Sequence, residues 1–249
     1  VVAVAAGETQ RLALKSDGTV WAWGANSEGE LGNNSTTDSS VPVQVVSPGG
    51  KGTLSGIIAI AADGFFGSVA LKSDGTVWAW GFNNAGQLGD NSTATSLVPV
   101  QVVGPGGQGT LTGITAIAAG GQQVLALKSN GSVWAWGDNQ SGELGNGAGN
   151  SGVTSSTPVQ VVGSAASGTL SGVSEISAGN DYSLALKSDG SVWSWGGNRD
   201  GELGIGTFTG PATCGTFACS TTPVQVGQGG TGALSGVTQI AAGSEQPWR

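Results

Sequence analysis

The chain has 249 residues, a formal net charge of −8 and an isoelectric point near 4.2, with nine tryptophans, two cysteines and no histidine or methionine. Eight Lys and Arg against 16 Asp and Glu exclude binding of nucleic acid through its phosphates, which needs clustered basic residues. The missing histidine removes the commonest general base, and no run reaches the length of a membrane-spanning helix. Neither catalysis, nor a cofactor, nor membrane insertion is expected.

The chain opens without Met on a strand-like VVAVAAG, which reads as a processed or excised piece. This short apolar strand ends in Gly7 and recurs at 58–62, 115–120 and 174–179. A variable loop follows: Glu8-Thr9-Gln10, Phe65-Phe66, Gln122-Gln123 and Asn180-Asp181-Tyr182. Then comes LALKSDGTVWAWG at 12–24, written again with small changes from Val69, Leu125 and Leu184. Two apolar arms around an Asp-Gly or Asn-Gly pair signal a hairpin, because glycine supplies positive φ and Asp or Asn tolerates it.

A two-residue loop at Asp17-Gly18 sets Ser16 opposite Thr19, Leu14 opposite Trp21, Ala13 opposite Ala22 and Leu12 opposite Trp23. Cross-strand partners share a face, so this register collects Leu12, Leu14, Trp21 and Trp23 on a bulky face and the alanines on a small one. Copies are then expected to stack bulky face on small face. The tryptophan pairs Trp21 and Trp23, Trp78 and Trp80, Trp134 and Trp136, and Trp193 and Trp195 become core between the copies, not a carbohydrate platform.

After each hairpin stands a glycine-bearing turn: NSEGELG, NNAGQLG, NQSGELG and NRDGELG. A Ser/Thr/Gly-rich loop follows, short at 33–41 and longest at 205–222, and leads to Pro-Val-Gln-Val at Pro42, Pro99, Pro158 and Pro223. A proline at its start suits an outer, edge-type strand. The period is about 57 residues, judged from Trp23, Trp80, Trp136 and Trp195. The repeats fall at approximately 1–57, 58–114, 115–173 and 174–237, with a partial fifth at 238–249.

Four short strands per unit and no helical period are the pattern of propeller blades. The combination IAAG, LALKSDGTVWAWG, N-x-x-G-[EQ]-LG and PVQV, covering essentially the whole chain, resembles the RCC1 (regulator of chromosome condensation 1) repeat family, in its bacterial extracellular type. The resemblance implies an all-β propeller of four-stranded blades, typically seven in a ring. Four units and the start of a fifth read either as a segment of a larger ring or as a chain whose surplus strand pairs with another copy. Where the family usually has a His before the LAL strand, this chain has Gln10, Gly67, Gln123 and Tyr182, so the usual hydrogen bond from that His is not expected.

Three features carry candidate function. The carboxylates Glu30, Glu143 and Glu202 recur in the ELG turn and could ring a cation; the competing reading makes them solvated turn residues too far apart to share one. Phe65, Phe66, Asp181 and Tyr182 lie on loops of the kind with which secreted inhibitors in the family grip a target, or else wedge the blade end. Cys214 and Cys219, in ATCGTFACSTT, read as a local disulfide and hence an extracellular or cell-surface setting, since no His or second Cys pair supports zinc. Asn34 and Asn91 begin Asn-Ser-Thr, a weak signal for glycans on the loops.

The expected function is a non-catalytic scaffold for contact with a protein partner or with copies of itself. A secreted inhibitor or ligand-binding module is the alternative. A guanine-nucleotide exchange factor, implied by the family's eukaryotic founder, fits poorly with the acidic charge and the lack of a basic tail.

Overall fold

The computed structural model describes residues 1–62, 64, 67–148, 153–230 and 232–243. The first repeat forms strands β1 (Ala3–Ala6), β2 (Gln10–Leu14), β3 (Val20–Gly24) and β4 (Ser39–Gln44). The second forms β5 (Ile57–Ala62), β6 (Gly67–Lys72), β7 (Val77–Gly81) and β8 (Ser96–Gln101). The third forms β9 (Ile114–Ala119), β10 (Gln123–Lys128), β11 (Val133–Gly137) and β12 (Ser155–Gln160). The fourth forms β13 (Val173–Ala178), β14 (Tyr182–Lys187), β15 (Val192–Gly197), β16 (Ala212–Cys214) and β17 (Phe217–Gln225).

Each repeat is its own antiparallel meander, and the fourth sheet gains a fifth strand, in the order β13-β14-β15-β17-β16. The first strands touch in succession, β1 on β5, β5 on β9 and β9 on β13, which places them at the convergent edge of a propeller arc. Among the described residues the chain has no α-helix, only two short 3₁₀ turns at Pro105–Gly107 and Ser164–Ala166.

The hairpin register differs by one residue from the sequence expectation. Lys15 N–H donates to Thr19 O and Gly18 N–H to Lys15 O, both at 3.0 Å, so the loop holds three residues, Ser16, Asp17 and Gly18. Leu14 therefore opposes Val20, Ala13 opposes Trp21, Leu12 opposes Ala22 and Arg11 opposes Trp23. Because side chains alternate, a one-residue slip moves every side chain to the other face. The tryptophans share a face with Ala13, and the leucines share one with Val20 and Ala22.

The stacking rule changes accordingly. Leu12, Leu14, Val20 and Ala22 of the first sheet pack against Ala70 and Trp80 of the second. Val69, Leu71, Val77 and Ala79 meet Ala126 and Trp136 of the third; Leu125, Leu127, Val133 and Ala135 meet Ala185 and Trp195 of the fourth. The aliphatic face of one sheet receives the tryptophan face of the next. Trp80, Trp136 and Trp195 are completely buried, whereas Trp23, whose face has no preceding sheet among the described residues, is only partly so.

Residues 237–243, expected as the opening strand of a fifth repeat, take that strand's place without pairing as one. Val237 N–H donates to Gly190 O, as Ile57, Ile114 and Val173 donate to Gly18, Gly75 and Gly131. Farther on, Ile240 N–H donates to Glu175 Oε2 (3.2 Å) and Ala242 N–H to Ser177 Oγ (2.9 Å). The segment lies along β13 on side-chain hydrogen bonds.

Candidate binding surface on the rim

The N-x-x-G-[EQ]-L-G turn ties one sheet to the next. Asn26 Oδ1 accepts the Leu31 N–H (2.8 Å) while its Nδ2 donates to Ser35 O and Thr37 O. Asn83 and Asn198 repeat the pattern. The Glu or Gln side chain folds back onto its own turn: Glu30 Oε2 accepts from Glu28 N–H, Gln87 Oε1 from Ala85 N–H, Glu143 Oε2 from Ser141 N–H and Glu202 Oε2 from Asp200 N–H, at 2.9, 3.0, 2.9 and 2.9 Å. The backbone carbonyls of Glu30, Gln87 and Glu143 accept the indole N–H of Trp80, Trp136 and Trp195 of the next sheet at 2.8, 2.9 and 2.7 Å.

The ELG carboxylates are turn residues, but not solvated ones. Glu30 and Glu143 are buried rather than solvated, and Glu202 is half-buried. Each spends an oxygen on its own turn, and among the described residues no group of three His, Cys, Asp or Glu is disposed to hold a metal ion. Burial raises the carboxyl pKa of Glu30, and pushes that of Glu143 up to about 8, with the negative charges of Asp138 and Asp181 adding to the effect.

The position before the LAL strand also departs from expectation. Gln10 Nε2 donates to Gly67 O and Gln123 Nε2 to Gly179 O, both at 2.9 Å and both between neighbouring sheets. Glutamine thus supplies a buried inter-sheet hydrogen bond where no His is present. Tyr182 is half-buried, and its hydroxyl accepts from Gly243 N–H (3.1 Å) and lies 3.2 Å from Gly243 O. Phe65 and Phe66 lie outside the described residues.

Asp181 faces a cleft of about 310 Å³ between the third and fourth sheets. Asp138, Ser141 and Glu143 line it from the third repeat; Asp181, Arg199 and the 214–217 turn line it from the fourth. Cys214 and Cys219 form a disulfide, with Cα atoms 5.8 Å apart, that clamps β16 to β17. Both sulfurs' residues are buried while Phe217, at the hairpin tip, is 44% exposed. The Arg199 guanidinium stacks 3.3 Å from the Phe217 ring centroid. Desolvation raises the Asp181 carboxyl pKa, and Arg199 partly offsets it.

Another difference marks the same end. A Cβ on Gly29, Gly86 or Gly142 would strike the backbone of the next sheet at 2.8, 2.6 or 2.9 Å, at Leu97, Ser156 and Ser220. The matching Gly201 meets instead the ring of Phe208 from its own long loop. Phe208 is 71% exposed, so Phe208 and Phe217 give the fourth repeat two solvent-facing aromatic rings. Sequence reading passed over Asp138, Arg199, Phe208 and Phe217. Its available signal was the place after Trp-Gly, which holds Ala25, Phe82, Asp138 and Gly197 and so departs from the repeat.

The RCC1-like domain model matches residues 1–246. The chain is 32% identical over 196 residues to the E3 ubiquitin-protein ligase HERC2 of Homo sapiens, covering 79% of this chain and 4% of that one. It is 30% identical over 204 residues to the ultraviolet-B receptor UVR8 of Arabidopsis thaliana, covering 82% and 42%. Among solved structures, Prp20p from Saccharomyces cerevisiae superposes with a TM-score of 0.71 at 27% identity, over 97% of this chain and 52% of that one. Human WBSCR16 gives 0.76 at 24%, over 98% and 56%, a likeness of fold. The chain thus spans about half or less of the length of these four proteins.

Proposed function

The chain belongs to the RCC1-like domain family, and we propose that it is a non-catalytic scaffold at an extracellular or cell surface that binds a protein partner through the rim of its fourth repeat. The observation that carries this reading is the disulfide-clamped hairpin with Phe217 exposed at its tip, together with the exposed Phe208 on the long loop of the same repeat. Exposed aromatic side chains held rigid are the usual anchors of protein interfaces. The disulfide supports an oxidising compartment. The solved relative Prp20p has binding properties toward Gsp1p and histones, which supports protein contact as the role. A photo-cross-linking residue at position 217 should capture a protein partner, while the same residue at Lys51, exposed and remote in sequence, should not. Equal capture at both positions, or none, refutes the assignment of the surface.

A second reading is favoured by Trp23. Its sheet face lacks a neighbour among the described residues, and its indole has no counterpart of the bond that Trp80, Trp136 and Trp195 make. A second copy of the chain would cover that face, giving the self-assembly expected from the surplus strand. Light scattering across a concentration series should then show association that Trp23→Lys abolishes; a monomer at every concentration rejects it.

A further inference from the structure

We infer that copies of this chain join head to tail, the first repeat of one seated on the fourth repeat of the next, with residues 237–243 of the receiving copy replacing β1 against β2 of the incoming one. This rests on the self-association reading and names the two faces and the strand that make the contact.

The fourth repeat presents half of a junction that the chain builds three times. Leu54, Leu111 and Leu170, from the L-[ST]-G turns, close those junctions and are 3%, 1% and 2% exposed. Leu234 stands in the same turn, its N–H on Val226 O (3.0 Å) as that of Leu54 is on Val45 O (3.1 Å), yet it is 46% exposed. Leu184 and Val226 are half-buried where Leu12 and Val45 are fully covered. The turn is formed alike; the covering sheet is what differs.

The first repeat presents the other half. Trp23 lies on a partly exposed face, and its cross-strand partner is the exposed Arg11. The place of Arg11 holds Ser68, Val124 and Ser183 in the other repeats. Ser68 Oγ and Ser183 Oγ donate to Glu30 O and Glu143 O of the preceding sheet, the carbonyls that also take the indole N–H of Trp80 and Trp195. Continuing that rule sets Arg11 and Trp23 of a second copy at Glu202, whose half-buried carboxylate neighbours the exposed Asp200. Among the described residues only Nη1 of Arg11 donates, to Gly7 O and Gln10 O, so the rest of the guanidinium is left for the opposite charge.

The donated strand follows from a bond that the first sheet lacks. Ser73, Ser129 and Ser188 N–H donate to the oxygens of Gly56, Gly113 and Gly172, just ahead of β5, β9 and β13, at 2.9, 3.0 and 2.9 Å. Among the described residues Ser16 N–H makes no such backbone bond. Gly236 stands ahead of 237–243 in the same way, fixed by Val237 N–H on Gly190 O (3.2 Å), and VTQIAAG matches the VVAVAAG of residues 1–7 position by position. β1 covers little in its own sheet, with Val2 and Val4 63% and 73% exposed. Residues 240–243, now held on the side chains of Glu175, Ser177 and Tyr182, gain a backbone ladder when they replace it.

The test mixes two disabled copies of the full chain. Trp23→Lys spoils the first face and Leu234→Lys the fourth, and light scattering coupled to size exclusion reads the mass against 24.3 kDa for one chain. The parent should associate, each variant alone should be monomeric, and an equimolar mixture should form a 1:1 pair, which also shows that both variants fold. Arg11→Glu should weaken association of the parent at least fivefold. Glu202→Gln, which keeps the turn bond as Gln87 does, should lessen its sensitivity to salt. Val4→Pro handicaps β1 in its own sheet and should tighten association at least threefold, because the donated strand then has no rival. A parent monomeric at every concentration overturns both this contact and the self-association reading. Association lost in Trp23→Lys but intact in Leu234→Lys means that like faces meet, which keeps the reading and rejects the head-to-tail contact. So does a mixture that fails to pair while both variants are folded by circular dichroism. Association weakened by Val4→Pro rejects the strand replacement.

Discussion

Replacing Trp80 by alanine tests the stacking of sheets where it is most concentrated. The side chain is completely buried against Leu12, Leu14, Val20 and Ala22 of the preceding sheet, and its indole N–H meets Glu30 O at 2.8 Å. Truncating a buried Trp costs about 3–5 kcal/mol through lost transfer energy and the cavity left behind. The Glu30 carbonyl retains the Ser68 Oγ donor at 3.1 Å, so the penalty for an orphaned acceptor is largely avoided. Trp80→Phe keeps most of the packing and loses the N–H, for about 1–2 kcal/mol. Trp23→Ala, at the same place in the first repeat but on a partly exposed face, should cost no more than about 1.5 kcal/mol. The assay is urea unfolding followed by circular dichroism, fitted with nearest-neighbour repeat terms because a stacked array need not unfold in two states. Equal losses for Trp80→Ala and Trp23→Ala, or a Trp80→Ala loss below about 1 kcal/mol, would refute the argument.

Other consequences follow from single residues. Glu143 titrates at about 8 rather than 4.5, so the folded chain holds its proton more tightly and this group's contribution to stability declines as pH rises through that interval. Glu143→Gln should therefore stabilise the chain by roughly 1–3 kcal/mol at pH 8 and hardly at all at pH 4.5, read from unfolding curves at both; a pH-independent effect contradicts it. Cys214→Ser with Cys219→Ser should cost about 2 kcal/mol for so short a loop and speed amide exchange in β16; unchanged exchange rejects the clamp. Gly86→Ala puts a Cβ 2.6 Å from Ser156 Cα at φ +79°, so calorimetry should show a loss of at least about 2 kcal/mol, and a neutral result means the second and third sheets are not so close.

The all-β class, the four sheets and the strand order were legible because local signals repeat: an Asp-Gly or Asn-Gly pair, paired tryptophans, and a proline in the outer strand, although Pro42, Pro99, Pro158 and Pro223 lie within β4, β8, β12 and β17 rather than at their starts. The hairpin register was not. Two-residue and three-residue loops both place glycine at positive φ, and what selects the longer one is Asp17 Oδ1 accepting from both Thr19 N–H (3.1 Å) and Thr19 Oγ1 (2.6 Å). Burial of Glu30 and Glu143 was equally hidden, because the neighbour that covers each belongs to the next repeat. The cleft is a product of stacking: Asp138 and Asp181 come from different sheets, and only the inter-sheet contact brings them together. Gln10 and Gln123 show that a departure from the repeat can preserve a bond, since an amide N–H reaches the carbonyl across the junction.

The stacking on which the rim depends is read most directly from solvent exchange of the assigned indole N–H groups by NMR. Trp80, Trp136 and Trp195 donate to carbonyls of the preceding repeat from completely buried positions, so their indole protons should exchange slowly, and that of Trp23 rapidly. Rapid exchange at all four would mean that the sheets do not stack aliphatic face on tryptophan face, and the account of the scaffold would fall with it.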